Sequence, residues 1–323
     1  MQLDNVESVQ QYLFDKNLVR RDEKTGIRQI PGGVSCFVWQ IETKSQNWVM
    51  KQARSKLDVE ADWYSDTDRI HREHKAMSSL REFTNDIPKV LHVDYENHVY
   101  VMEFIEDTVT WKEMLMAGVF DERVAANAAG VLEQIHAATP RIDATISKEL
   151  EDQKYFIQLR IEPFHRSVMA KHPELSVPIQ QLIDELTTKR ISLVHGDFSP
   201  KNMLVKKDGS IVLIDFEVIH WGNPVFDLAY SVGHLMLKGW HLDKKSESLG
   251  LIKVFLKRFD YDSMNLLPHL GLMLLARIDG RSPVSYIKDE TQKKMIRETG
   301  VNWITRGFGS KNILKNIEQA LMH

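Results

Sequence analysis

A single cysteine, Cys36, stands in 323 residues. No internal disulfide and no cysteine-rich zinc or iron site can form from it, and such a chain suits a reducing compartment. An excess of one charge is also missing, since 42 Lys and Arg face 45 Asp and Glu for a formal charge of -3. Nucleic-acid binders usually carry a clear basic surplus, so that partner is not expected. Long hydrophobic runs are absent as well. The most apolar stretch, Leu266 to Ile278, is interrupted by Pro268 and His269 and falls short of the roughly 20 residues needed to cross a bilayer. It reads as a buried core helix, and no membrane partner is expected. The opening residues, MQLDNVESVQQYLF, have no basic segment followed by an apolar run, so a secretory signal is not expected and a cytoplasmic location is. Internal repeats, low-complexity tracts and long Gly/Ser linkers are lacking too. What is present is an ordinary globular composition, 43% hydrophobic and 27% charged, on a length that suits one large or two medium domains at about 150 residues each.

The pattern of apolar residues changes character along the chain. Val6, Val9, Tyr12, Leu13 and Leu18 are spaced for one face of a short helix within residues 1–20. From Ile27 the period becomes that of strands: Ile27 to Ile30, the turn Pro31-Gly32-Gly33-Val34-Ser35, Cys36 to Ile41, and Trp48 to Gln52 predict an antiparallel meander. Helical spacing returns from Arg69 to Phe83, and Val90 to Val93 and His98 to Phe104 predict two further strands. Beyond Thr108 the predicted elements are mainly helices, over Trp111 to Ala117, Glu122 to Ala138, Tyr155 to Ala170 and Val177 to Lys189, with more after residue 225. Strands are expected there only at Ser192 to Val194, Met203 to Val205 and Ile211 to Ile214. The expectation is an α+β chain of two lobes, a small antiparallel-sheet lobe over residues 1–105 and a larger, mainly helical lobe over 106–323. They would be joined by a hinge near Glu103 to Thr108, and a cleft between lobes is where small ligands tend to bind.

Chemistry concentrates in Leu193-Val194-His195-Gly196-Asp197-Phe198-Ser199-Pro200-Lys201-Asn202 and in Ile211-Val212-Leu213-Ile214-Asp215-Phe216-Glu217. Any one of these polar residues alone would be read as a turn former. Together, an Asp, an Asn five residues on and a second Asp thirteen beyond that, each beside a short apolar strand, have the spacing used for phosphoryl transfer by kinases. That reaction needs a carboxylate to take the proton of the attacking hydroxyl, a role that falls to Asp197. It also needs hard oxygen ligands to hold magnesium on a triphosphate, which Asn202 and Asp215 supply. The first lobe offers complementary parts. Glycines at 32 and 33 with Ser35 let backbone N–H groups approach phosphate. Lys51 in the third strand can reach the α- and β-phosphates, with Glu73 on the next helix as its partner.

These residues resemble the aminoglycoside phosphotransferase and choline kinase superfamily, small-molecule kinases whose fold is similar to that of protein kinases. The match is carried by His195-Gly196-Asp197 with Asn202, Ile214-Asp215-Phe216-Glu217, Gly222-Asn223-Pro224-Val225-Phe226-Asp227-Leu228-Ala229 and the loop Gly32-Gly33-Val34-Ser35. It covers about residues 25 to 240. The resemblance implies a kinase using ATP or GTP with Mg2+ on a small hydroxyl compound, with the adenine held at Glu103, Phe104 and Ile105. It also implies that Asp227 braces the catalytic loop, with His195, instead of touching substrate. The chain departs from protein kinases in having Asp215-Phe216-Glu217 for Asp-Phe-Gly and no Ala-Pro-Glu, which disfavours protein substrates. It departs from the superfamily's usual loop Asn in Cys36. Ile214 to Leu237 also resembles methylthioribose kinase, a longer family that usually has Ser at the position of Asn202.

Other motifs fall away. His71-Arg72-Glu73 fits the His-x-Glu of a zinc deaminase, but its paired cysteines cannot exist here. No Gly-x-x-x-x-Gly-Lys-Ser/Thr, Gly-x-Ser-x-Gly or His-Glu-x-x-His occurs. For the acceptor, the candidate side chains are Glu217, Trp221, Arg277 and Asp279. Arg277 and Asp279 end an apolar helix and read equally as a solvated C-terminal cap, and for Trp221 burial in the core is favoured over stacking on a sugar or adenine. A polycationic acceptor would want an acidic groove. Residues 260–323 hold nine Lys/Arg against seven Asp/Glu, and residues 141–190 eight against eight. A neutral or anionic, sugar-like acceptor is therefore expected, with aminoglycoside, choline or methylthioribose phosphorylation as alternatives. A reading of another class is a non-catalytic nucleotide-binding protein on the same fold; degenerate members of that kind would lose Lys51, Asp197, Asn202 or Asp215, and all four are present. The oligomeric state leaves no trace in the sequence.

Overall fold

Period-two alternation in the first hundred residues becomes a five-stranded antiparallel sheet. In the computed structural model, which describes residues 1–31, 33–58 and 63–322, its strands are β1 (Gly26–Gln29), β2 (Cys36–Glu42), β3 (Asn47–Ala53), β4 (Val90–Asp94) and β5 (Val99–Glu103), in the order β1-β2-β3-β5-β4. Helix α1 (Val6–Asp15) starts at Asn5, whose side chain accepts from Ser8 N at 2.8 Å, a cap that satisfies an otherwise orphaned donor. Its Val9, Tyr12 and Leu13 join Trp39, Ile41, Trp48, Met50, Val99 and Val101 in one buried apolar cluster. Val6, expected on that face, is exposed, and the helix ends before Leu18, with Asn17 at a left-handed φ of 53°. Tyr12 Oη donates to Asp94 Oδ2 at 3.0 Å, and Lys16 Nζ lies 2.8 Å from the same oxygen. Helix α2 (Arg69–Leu80) follows β3. These elements make up a first compact unit, Met1–Glu106.

The second unit, Asp107–His323, is mainly helical. It runs β6 (Thr108–Thr110), α3 (Trp111–Met116), α4 (Glu122–Ala138), α5 (Ala144–Leu150), α6 (Lys154–Phe156), a π-helical stretch Ile157–Arg166, α7 (Ser167–Lys171), α8 (Ser176–Thr188), β7 (Ser192–Val194), β8 (Met203–Lys206), β9 (Ile211–Leu213), β10 (His220–Gly222), α9 (Val225–His241), α10 (Lys245–Leu256), α11 (Leu266–Ile278), α12 (Glu290–Arg306) and α13 (Ile313–Met322). Its strands form two small sheets, β6-β8-β9 and β10-β7. Helix α11 is the buried core helix that its composition predicts, with Leu266 through Ala276 all buried.

Three local differences from the sequence expectation have physical causes. Strands β6 and β10, Thr-Val-Thr and His-Trp-Gly, have no apolar run to mark them, and exist because β8 and β7 offer them partners. The single helix expected over Tyr155 to Ala170 widens into π-helical turns around Pro163, which has no N–H to donate and disturbs the regular ladder. Ile214 lies outside β9, because its N–H turns to Asn202 O at 3.0 Å.

Candidate active site

In the first unit, β3 is paired on both sides, with Lys51 opposite Val38 of β2 and Tyr100 of β5. This places the Lys51 side chain toward α2, where Nζ meets Glu73 Oε1 at 2.7 Å. The lysine is 5% exposed and the glutamate fully buried. Breaking a buried pair of this kind by removing one partner usually costs about 3–5 kcal/mol. In the turn before β2, a Cβ on Gly33 would stand 2.6 Å from Cys36 O, so only glycine fits that close approach. Gly32 lies outside the described residues. Ser35 O accepts from Arg54 N at 2.9 Å and from the Arg69 guanidinium, which also bonds the carbonyls of Ser65, Asp66 and Arg54. Arg69, fully buried, pins this loop and was not singled out from the sequence. At the end of β5, Glu103 N and Phe104 N donate to Lys89 O and Asn47 O, and Glu103 Oε1 accepts from Lys89 N. Ile105 follows directly.

In the second unit the residues of the motif converge. Strand β7 delivers the chain into a tight turn at Gly196, whose φ is 76° and whose Cβ would lie 3.0 Å from Val218. Asp227, in the first turn of α9, accepts His195 N at 2.7 Å on Oδ2 and Gly196 N at 2.9 Å on Oδ1. Burial pushes its carboxyl up to about 7, against those two donors that favour the anion. His195 Nδ1 accepts Asp197 N at 3.1 Å, and burial lowers this imidazole to about 4, so it is neutral at physiological pH. Ser231 Oγ fixes the next residue by donating to Phe198 O at 2.6 Å. Through these bonds Asp227 and His195 shape the loop that carries Asp197.

Asp197 is the centre of this arrangement. Its Oδ2 receives Lys201 Nζ at 2.8 Å, Asn202 Nδ2 at 2.8 Å and the Arg160 guanidinium at 3.1 Å. Burial opposes its charge, yet Lys201 and Arg160 hold the carboxyl below the ordinary carboxylate range. Lys201, whose side chain is about half exposed, has its ammonium stabilised in turn by the charges of Asp197 and Asp215. Oδ1 of Asp197 is buried and has no hydrogen-bond partner among the described residues, an unusual state for so polar an atom. Asn202 also donates to Asp197 O at 2.9 Å, so its amide hydrogens face Asp197 and its Oδ1 is left as an oxygen donor. The hairpin β8–β9 pairs Met203 with Leu213. With the Ile214 N to Asn202 O bond, it holds Asp215 beside Asn202. Asp215 has φ 72°, a conformation that an Asp adopts at a cost and that tends to be kept at functional positions.

The four candidate acceptor residues separate. Glu217 is 5% exposed. Trp221 lies in β10 opposite Leu193, with its indole N–H buried and unpartnered. Asp279 is committed to structure: Arg297 holds it through both oxygens at 2.7 and 2.8 Å, and His172 Nε2 lies at 2.8 Å. Arg277, two residues earlier, has a buried Nε without a partner. Sequence reading missed Lys201 and Arg160. Lys201 sits four residues after Asp197 inside the motif itself, and a charge at that spacing was a usable signal. Arg160 comes from the π-helical stretch, far away in sequence, and gave none.

The phosphotransferase enzyme family matches residues 26–266. Among curated proteins none matches the sequence. Solved structures with the same fold include an ethanolamine kinase from Plasmodium vivax, at 16% identity and TM-score 0.55, covering 98% of this chain and 91% of that one. A choline kinase from Streptococcus pneumoniae, at 13% identity and TM-score 0.51, covers 92% and 99%. A microcompartment-associated aminopropanol kinase, at 15% identity and TM-score 0.57, covers 93% and 96%. Likeness at such identities shows the fold and says nothing of the substrate.

Proposed function

The chain belongs to the phosphotransferase enzyme family, and on that footing we propose that it transfers the γ-phosphoryl group of ATP or GTP to a hydroxyl of a small metabolite, neutral or anionic and sugar-like. The observation that carries this reading is the carboxylate of Asp197. One of its oxygens is saturated by Lys201, Asn202 and Arg160, and the other is buried and open. A low pKa keeps it a carboxylate, able to accept a proton. In the proposed step the acceptor hydroxyl gives its proton to Oδ1, its oxygen forms a bond to the γ-phosphorus, and the bond from that phosphorus to the bridging oxygen breaks, releasing nucleoside diphosphate. Asn202 Oδ1 and the Asp215 carboxylate are hard oxygen donors of the kind Mg2+ prefers, and they would hold that ion. When bound, it supplies positive charge against the triphosphate oxygens. Lys201 and Arg160 keep Asp197 oriented. Gly32, Gly33, Ser35, Lys51 with Glu73, and Glu103 to Ile105 are the proposed nucleotide contacts.

The family also contains enzymes named for aminoglycosides, and the neighbours named for choline, ethanolamine and aminopropanol keep amino alcohols on the panel of acceptors. A non-catalytic role is disfavoured by the retention of Lys51, Asp197, Asn202 and Asp215 together. The experiment is Mg2+-dependent release of diphosphate from ATP and GTP against sugars, sugar acids, thiosugars, amino alcohols and aminoglycosides. Release that depends on an acceptor is expected. Nucleotide binding with no release for any acceptor class would overturn the reading.

A further inference from the structure

Helix α9 buries a lysine that no carboxylate among the described residues neutralises. Lys238 is 2% exposed. Its Nζ reaches only the His234 carbonyl, at 3.4 Å, and the ring of Tyr286, 5.6 Å away. Among the described residues it forms no salt bridge. The charged groups that act on it, Lys112 and Arg277, are both positive, and with burial they bring the ammonium down to about 7. A buried ammonium without a counter-ion is costly, and a Met of similar length would fit an apolar helix face at no such cost.

Arg277, at the end of α11, repeats the pattern. Its Nη1 has a long contact of 3.4 Å to Ser282 Oγ, and its buried Nε has no partner. The nearest carboxylate in sequence, Asp279, is turned to Arg297 and His172. Two further potential donors stand unpartnered and buried beside these cations, His234 Nδ1 and Tyr286 Oη. Arg277 also lines a cavity of about 280 Å³ whose other charged walls are Lys288 and Lys293, the latter paired with Glu290 at 2.7 Å. The cluster adjoins the reacting carboxylate. The Phe164 ring has the Arg277 guanidinium 5.6 Å from its centroid and the Arg160 guanidinium, itself bonded to Asp197, also at 5.6 Å.

We propose that Lys238 and Arg277, assisted by His234 and Tyr286, form a subsite for an anionic group, carboxylate or phosphate, on the phosphoryl acceptor. The inference rests on the kinase reading above and narrows its acceptor to an anionic hydroxyl compound. A charge-assisted, bidentate contact from a guanidinium and a buried ammonium is about twice as strong as a neutral hydrogen bond, and a cationic acceptor would be repelled. The acceptor's anion would anchor at Lys238 and Arg277, while its hydroxyl attacks the γ-phosphorus and gives its proton to Asp197 as already described.

The test uses matched acceptors, glycerol with glycerate and glycerol 3-phosphate, and ribose with ribonate and ribose 5-phosphate. They are assayed for kcat/KM on the full chain and on its Lys238→Met and Arg277→Gln variants, with inorganic phosphate binding followed by calorimetry. The anionic member of a set is expected to exceed the neutral one by at least about tenfold, a preference that both variants lose together with phosphate binding; carboxylate and phosphate are separated by which member wins. Lys238→Met is further expected to raise Tm, because it removes the unpaired charge. That outcome excludes misfolding as the cause of lost selectivity, and Arg277→Gln gives a second, independent reading. Equal use of neutral and anionic acceptors, or selectivity unchanged in Lys238→Met, overturns the subsite, as does absence of phosphate binding. Phosphate binding that depends on Lys238, with no acceptor turned over, upholds the subsite and overturns the kinase reading instead.

Discussion

Asp197 carries two kinds of neighbour, and they do different work. Asn202 and the bonds from Lys201 and Arg160 orient one oxygen, while the positive charges of the latter two keep the group ionised against burial. Removing Lys201 as Lys201→Met takes away the larger of the two opposing charges, so the carboxyl pKa rises. The acid limb of the pH profile of kcat/KM then moves to higher pH, with the alkaline side unaffected; an acid limb that stays in place contradicts this assignment. Asp197, Asn202 and Asp215 were legible in the sequence because all three lie on one strand-loop-hairpin whose spacing is visible in the chain. Arg160 was not, since what brings it to Asp197 is the packing of a helix far away in sequence. Asp279 stayed open between two readings for a related reason: a charge at the end of an apolar helix does not show in sequence that Arg297 of α12 and His172 hold it.

At the level of elements, long helices were legible because their caps and apolar stripes are local. Helix α4 begins after Asp121, whose side chain accepts from Arg123 N at 2.8 Å, and its limits are those the sequence predicts. Strands β6 and β10 were not, because Thr-Val-Thr and His-Trp-Gly lack the apolar run that marks the equally short β7 and β9, and only their partners define them. Close approaches between helices are equally silent in sequence. Helices α11 and α12 touch at Gly271 and Gly300, where a Cβ on Gly271 would stand 2.7 Å from Gly300 O and 2.9 Å from Trp303 Cβ. Gly271→Ala is therefore expected to push the two helices apart and to destabilise the chain by about 1–3 kcal/mol, read from the midpoint of urea unfolding. An unchanged or higher midpoint would show that the contact relaxes freely.

For the whole molecule, the α+β architecture and the family were legible from one segment of motif. The acceptor was not, because the proposed anion subsite draws on side chains from α9, α11 and the loop between α11 and α12, which no single stretch of sequence brings together. Stability should depend on pH in a definite sense. Burial lowers His136 to about 4, and burial with the neighbouring His269 lowers His165 to about 3. Both imidazoles stay neutral in the fold and take up a proton only on unfolding, so the stability they contribute is present above about 6.5 and is lost as pH falls toward those values. Asp227 runs the other way: raised to about 7, it contributes below about 4 and loses that contribution as pH rises through 7. With these two histidines and His195, also lowered to about 4, against one aspartate, Tm is expected to fall between pH 6.5 and 4. A Tm that is flat or rising over that range would contradict the buried neutral histidines.

Asp197 is the proposed acceptor of the proton from the attacking hydroxyl. This role is tested most directly by comparing Asp197→Asn with the native chain in acceptor-dependent turnover and in nucleotide affinity on the same preparation. kcat is expected to fall by about 10²–10⁴, the usual worth of a positioned base, while nucleotide affinity stays essentially unchanged. Native turnover in the variant would contradict it.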